Sequence, residues 1–202
     1  QDVLVTRILR TVAMGESRID ELIADLETSA NPTVGLSAHP GQTDVRIVAK
    51  AASREEAERL VAGCEALVRE RLGGAIYATG NATLESVVAS LLAEREATLA
   101  VAETSTRGDL SRRLTAHPDV FAGGLVAVDG AGLGHLLRVA VGVEPGEADA
   151  RALARAVRDV WGATYGLAMV PDADEHPWVA VVGGGIDGAR RLRFRGRDSR
   201  AR

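Results

Sequence analysis

The chain is short of several residue types that chemistry usually needs. Its 202 residues include one cysteine, Cys64, which excludes an intramolecular disulfide and any multi-cysteine metal site and suits a reducing, cytoplasmic compartment. Only one of the 24 lysines and arginines is a lysine, Lys50. Arginine stays protonated at any usable pH and serves neither as general base nor as amine nucleophile. Lysine-dependent catalysis therefore has a single candidate, and Lys50 reads as the solvated end of a strand. Two Phe, two Tyr and two Trp supply too few rings for a base-stacking platform. A formal charge of -4 gives no pull toward a polyanion, so no nucleic-acid partner is expected. No apolar run approaches the roughly 18 residues of a membrane span, so no membrane partner is expected either. No signal peptide is visible, although the chain opens at Gln1 without a Met. Gly183-Gly184-Gly185 lacks the strand-before, helix-after setting of a dinucleotide-binding loop and reads as a hairpin turn. No cofactor and no resident metal are expected.

What is present is an aliphatic α/β pattern in two parts. In the first, Ser17 and Asp20 form a capping-box-like start. Ile19, Leu22, Ile23 and Leu26 then recur at helical spacing until Asn31-Pro32. Residues 33–38 and 43–50 flank His39-Pro40-Gly41-Gln42 as a hairpin. Ser53 with Glu56 caps the strongest helix, whose apolar stripe is Ala57, Leu60, Val61, Cys64, Leu67, Val68 and Leu72, stopped by Gly73-Gly74. Cys64 reads there as a small buried hydrophobe. This helix is expected to pack across the hairpin, and Ala78-Thr-Gly80-Asn81 reads as the hinge to a second domain.

The second part opens with a helix facing inward through Leu84, Val87, Val88, Leu91 and Leu92. A buried strand at 98–102, a turn at 104–108, a helix running through Leu110 and Leu114 to His117-Pro118, and a strand at 124–128 follow. Residues 130–137 read as a weak helix or loop, and 148–161 as a helix with Leu153, Ala156, Val157, Val160 and Trp161 inward. Strands at 165–170 and 177–182 precede the glycine turn, and a last strand follows Gly188. Local hairpins combined with crossovers imply a layered α/β domain.

Ala102-Glu103-Thr104-Ser105-Thr106-Arg107-Gly108, followed by Phe121-Ala-Gly-Gly-Leu-Val-Ala-Val128, resembles the C-terminal domain of the competence/damage-inducible (CinA) family. There a strand ending in Ala-Glu-Ser-Cys-Thr-Gly-Gly opens a helix, and a later Gly-Gly strand leads to a Tyr and a Lys. Residues 1–80 resemble the family's KH-like middle domain, without the Gly-x-x-Gly loop by which KH domains grip RNA. The fold implied is a small KH-like α/β domain (1–80) followed by a layered α/β/α CinA C-terminal-type domain (81–202).

The resemblance implies amide hydrolysis of nicotinamide mononucleotide by a serine just before the Gly-Gly strand, activated by that Tyr and Lys, and a dimer or higher oligomer. On this chain the Tyr position falls on Val128 and the Lys position on Leu133, and neither side chain can move a proton. The nucleophile segment is shortened to His117-Pro118-Asp119-Val120. A family glycine loop is replaced by Met169-Val-Pro-Asp172-Ala-Asp174-Glu175-His176-Pro177, acidic where a phosphate would lie. The expected function is a catalytically impaired binding or assembly module; the alternative is an amidase using Ser105 or Thr106.

Glu103, Thr104, Ser105, Thr106, Arg107 and Gly108 form the candidate ligand site, a helix start able to cap itself or to hold a nucleotide or other small anion. Arg107 could neutralise a phosphate or merely cover surface. The 172–176 cluster reads as a solvated loop, with a loop metal as the alternative. Arg191, Arg193, Arg195 and Arg197 alternate along one expected strand face.

Overall fold

The structure, a computed structural model, describes residues 2–39, 41–171 and 176–192. It divides into two units, Gln1–Val87 and Val88–Arg202.

The first unit is a four-stranded antiparallel sheet of β1 (Val3–Val12), β2 (Thr33–His39), β3 (Gln42–Ala51) and β4 (Ile76–Thr79), in the order β2-β3-β1-β4. One face is covered by α1 (Glu16–Glu27) and α2 (Arg54–Leu72). No apolar alternation announces β1, because Arg7 takes a helix-facing position, where it pairs with Glu58 at 3.2 Å and Glu65 at 3.5 Å on α2. Helix α1 begins one residue before Ser17, after Gly15, with no side-chain cap; the expected capping box does not form. It ends at Glu27, well before Pro32. Asn31 instead clasps the end of β3, donating to Lys50 O at 2.8 Å and accepting from Lys50 N at 3.0 Å. The lone lysine ion-pairs with Asp2 at 2.9 Å at that solvated strand end.

The α2 reading holds at its start, where Ser53 Oγ accepts from Glu56 N at 3.2 Å, and along the buried stripe Ala57, Val61, Cys64, Val68 and Leu72. Leu67 is exposed. Helix α2 packs on β3 of that hairpin and on the neighbouring β1, while α1 lies on β2. Burial pushes the Cys64 thiol up from its ordinary value, as expected of an inert buried cysteine. The turn chemistry places a boundary at Gly80, the last residue of the expected first domain; Gly80 N donates to Ile8 O at 2.8 Å and Gly80 O accepts from Arg10 Nε at 2.8 Å. Those bonds tie it to β1. The division falls at Val87–Val88, inside α3 (Leu84–Ala93).

The second unit is a mixed sheet in the order β6-β5-β7-β8-β9. Its strands are β5 (Leu99–Glu103), β6 (Phe121–Val126), β7 (Tyr165–Pro171), β8 (Pro177–Gly183) and β9 (Ile186–Arg191). Strand β5 runs parallel to β6 and β7, and the β7-β8-β9 pairs are antiparallel. On one face Ala100, Ala102, Ala168 and Ala180 pack against α5 (Gly130–Leu137) and α6 (Glu147–Trp161). On the other, Leu99 and Val101 meet Ala89 and Leu92 of α3 and Leu114 of α4 (Asp109–Leu114). This is the layered α/β domain expected.

Several local readings are corrected. Helix α4 stops at Leu114, and β6 starts at Phe121 rather than Gly124. Residues 130–137 are a helix capped by Asp129, whose Oδ1 accepts from Gly132 N at 2.7 Å. Val160 and Trp161 are exposed, because α6 turns its Leu153, Ala154 and Val157 stripe to the sheet. The glycine turn does close the β8-β9 hairpin, although β9 begins before Gly188. Arg193, Arg195 and Arg197 lie outside the described residues.

Candidate functional site

Strand β5 sits where the connection reverses. Through α4 the chain moves to β6 on one side of it, and through α5 and α6 it returns to β7 on the other. The crevice at the carboxyl end of such a strand is where open α/β sheets place ligands. Glu103 is the last residue of β5, and the 104–108 turn follows it there. The turn is fastened to both neighbouring strands: Thr104 N and Oγ1 donate to Met169 O at 3.3 and 3.2 Å, and Ala127 N donates to Glu103 O at 3.2 Å.

The candidate residues are thus brought together, but the chemistry turns inward. Glu103 is 0% exposed. Its carboxylate accepts from the Thr106 hydroxyl, from Leu110 N at 3.2 Å and from Ser111 N at 2.8 Å. Burial pushes this carboxyl up. The nearby Ser111 and Thr106 hydroxyls and the two backbone N–H groups outweigh burial and hold it below its ordinary value. Ser111 Oγ itself, though close enough to favour the charged carboxylate, meets no partner at ordinary hydrogen-bond geometry.

Asp109 N donates to Thr106 O at 3.0 Å, so every donor in the first turn of α4 is engaged, two of them by the protein's own anion. The first turn of this six-residue helix is thus capped from within the chain, by Glu103 and Thr106. Ser105 and Arg107 are exposed. Ser105 Oγ lies 3.5 Å from Thr104 Oγ1. Gly108, at φ 91°, forms the N-cap, a conformation glycine adopts at little cost.

The two degenerate positions separate. Val128 is 98% exposed, whereas Leu133 is fully buried in the core with Ala100, Ala102 and Leu153. The shortened segment is a tight turn around His117, whose carbonyl accepts from Val120 N at 3.2 Å and Phe121 N at 3.0 Å. No group of three or more possible metal ligands occurs among the described residues. Asp172, Asp174 and Glu175 lie outside them, and His176 is engaged. No helix among the described residues is long and apolar enough to cross a membrane.

The Gly-Gly of β6 has a packing cause. A Cβ on Gly123 would stand 2.5 Å from the Trp161 ring of α6, and one on Gly124 would overlap Ser111 Oγ of α4. The strand is therefore pinched from both faces. Gly124→Ala is expected to cost about 1–3 kcal/mol through overpacking, and at least half of that cost should vanish in a Ser111→Ala background. Urea unfolding of the four-protein cycle reads this; an equal cost in both backgrounds would refute the pinch.

Sequence reasoning missed a cavity of ≈ 390 Å³ near the carboxyl ends of β6 and β7, lined by Asp129, Gly130, Val141, Glu144, Pro145 and Pro171 among others. The loop that walls it is held by Asp149, which accepts from Gly142 N at 3.1 Å and Gly146 N at 2.9 Å. The Gly146-to-Asp149 spacing of an N3 capping residue was the available signal. Among the described residues, two carboxylates and no cation line this cavity.

Residues 6–78 match the family described as the damage-inducible protein CinA KH domain, and residues 81–177 the CinA C-terminal domain. A competence-damage inducible protein of Moorella thermoacetica is 38% identical over 205 residues, covering 93% of this chain and 48% of that protein. A CinA-like protein of Frankia casuarinae is 42% identical over 187 residues, covering 87% and 43%. The chain thus spans less than half the length of these relatives. Among solved structures, the competence damage-inducible protein A of Klebsiella pneumoniae superposes with a TM-score of 0.51 at 23% identity, covering 56% of this chain and 81% of that one. The competence or damage-inducible protein of Enterobacter asburiae gives 0.50 at 23%, covering 57% and 86%. At that identity they show a shared fold alone. With the family's KH domain matched in its first unit and the C-terminal domain in its second, the chain belongs to the CinA family.

Proposed function

We propose that the second unit has kept the CinA C-terminal fold, has lost amide hydrolysis, and works as a binding or assembly module. The observation that carries this reading is the state of Glu103: the one acid in the motif turn is buried and saturated with donors, so it organises the turn instead of facing a substrate. The side chains at the other expected positions agree, since Val128 stands in solvent and Leu133 in the core. The acidic lining of the neighbouring cavity is opposite to what a mononucleotide phosphate requires.

A second reading, an amidase using Thr106 with Glu103 as base, is favoured by the hydrogen bond between them. A carboxylate whose pKa is lowered by several donors is a weak base, however. Among the described residues, the hydrogen-bonding group beside the exposed Ser105 hydroxyl is Thr104 Oγ1, which is no base at all.

Purified protein incubated with nicotinamide mononucleotide is expected to release ammonia at the background rate. Turnover that disappears in Ser105→Ala or Thr106→Val would overturn this reading and identify the nucleophile. The assembly side, a homodimer or higher oligomer, is tested by sedimentation; monomer alone at high concentration counts against it.

A further inference from the structure

Three of the four strands that end the two sheets are blunted against pairing with another chain. Strand β4 has four residues, and its register with β1 shifts between Arg10 and Thr11. The register of β6 with β5 shifts at Leu99 and Ala100, and β9 carries Asp187, Arg190 and Arg191. Short length, irregular register and charge are the usual guards of a sheet edge. Strand β2 has none of them. Its seven residues, Thr33-Val-Gly-Leu-Ser-Ala-His39, include no acid, lysine, arginine or proline, and they pair with β3 in unbroken register. Among the described residues β2 has no second neighbour in the sheet, and Thr33, Gly35, Ser37 and Ala38 are exposed.

The register decides which main-chain groups of β2 face outward. His39 and Gln42 are partners across a two-residue connection, and such a closing pair exchanges both of its hydrogen bonds. Bonding pairs alternate along an antiparallel ladder, so Ser37, Gly35 and Thr33 also bond to β3. Val34, Leu36 and Ala38 therefore turn N–H and C=O away from it, over about 14 Å of strand. Helix α1 lies on β2 and beside α2. Arg71 of α2 donates to Leu22 O at 3.1 Å and binds Asp25, which fixes the side of α1 that faces α2. At about 100° per residue, Glu16, Asp20 and Glu27 fall on the opposite side, above the outer edge of β2. None of the three has a cationic partner among the described residues. Burial, and after it the adjoining Asp20 carboxyl, raise the Glu27 carboxyl from its ordinary value, so a cation brought alongside would be favoured.

We propose that the outer edge of β2 takes up an extended segment of a partner protein as a fifth strand, with lysine or arginine at alternate positions on the side facing α1. Main-chain hydrogen bonds to Val34, Leu36 and Ala38 supply the pairing, and Glu16, Asp20 and Glu27 select for positive charge. A second copy is the poorer occupant. Pairing β2 with itself about Leu36 satisfies the same main-chain groups, but it sets the three carboxylates of one α1 against those of another, and like charges so placed repel. The proposal concerns the first unit and stands independently of the loss of hydrolysis in the second.

The test uses the full chain and a fluorescein-labelled ten-residue synthetic peptide of alternating lysine and valine. Beside it stand two counterparts, one with glutamate for lysine and one that keeps lysine but has its backbone nitrogens methylated. By anisotropy, the basic peptide is expected to bind about tenfold or more tighter than either. Glu16→Lys with Asp20→Lys, both at exposed positions, should remove the preference for the basic peptide. Ala38→Pro takes away one outward N–H at an edge position where proline is tolerated, and should weaken binding about tenfold. No binding, equal binding of the acidic peptide, or a charge preference kept in the double variant would overturn the proposal. Equal binding of the methylated peptide would also overturn it, by showing charge attraction without strand pairing, and this arm decides the matter even if Ala38→Pro perturbs folding. A dimer at the same concentration that Ala38→Pro dissolves would overturn it too, by making a second copy the occupant.

Discussion

Replacing Gly166 with alanine is expected to destabilise the second unit by roughly 3 kcal/mol, at the upper end of what overpacking costs. A Cβ there would overlap the Ala154 carbonyl oxygen of α6 and stand 2.8 Å from Arg158 Cβ. A flexible side chain could swing away, but the obstacle is helical backbone. Helix α6 would have to lift from β7, opening the layer where Leu153, Ala154 and Val157 are fully buried, and close-packed interiors yield to such shifts poorly. Gly188→Ala, in β9 of the same unit, is the control: the nearest atom to its Cβ position is Ile186 Cγ2 at 3.9 Å, and alanine in a strand is expected to be neutral or slightly favourable. Both tryptophans, Trp161 and Trp178, belong to the second unit, so their fluorescence in urea reports that unit. An unchanged midpoint for Gly166→Ala would refute the contact.

The second large effect is at Glu103. Glu103→Gln is expected to cost about 3 kcal/mol, because a buried carboxylate serving several donors is replaced by an amide whose NH₂ must face some of those same donors. The effect depends on pH. Glu103 is held below its ordinary value in the folded state, so its contribution is complete above the unfolded-state value of about 4.3. It is lost as pH falls through the lower folded value. The native chain should therefore lose stability toward acid more steeply than Glu103→Gln, and the two should converge at low pH. Urea midpoints measured from pH 7 down to pH 3 decide it; parallel curves would mean that Glu103 is not the titrating anchor of this turn.

Those two positions show where sequence reading succeeds and where it stops. Helix α2 was legible because its signals are local: Ser53 caps Glu56 N three residues on, and the stripe from Ala57 to Leu72 is one period repeated. Strand β5 was legible for the same reason, as a short apolar run ending at the motif turn. Residue type alone also fixes that valine at 128 and leucine at 133 can transfer no proton, wherever the fold puts them.

Other features depended on what lies opposite a residue, and no local pattern encodes that. Strand β1 hid behind Arg7 because the carboxylates that accept it, Glu58 and Glu65, lie some fifty residues away on α2. Trp161 belonged to the apolar stripe by period but rests partly exposed against Gly123, a contact made by the packing of α6 on β6. Glu103 was singled out by sequence as part of a ligand site. Only the folded turn, by bringing Thr106, Leu110 and Ser111 around it, made it the anion that fills its own helix start. Residue identity and spacing thus determined the elements and the family pattern. Tertiary structure decided which polar groups are spent inside and which apolar residues of a stripe are buried, because burial and electrostatic pairing are set by groups that meet only when the chain folds.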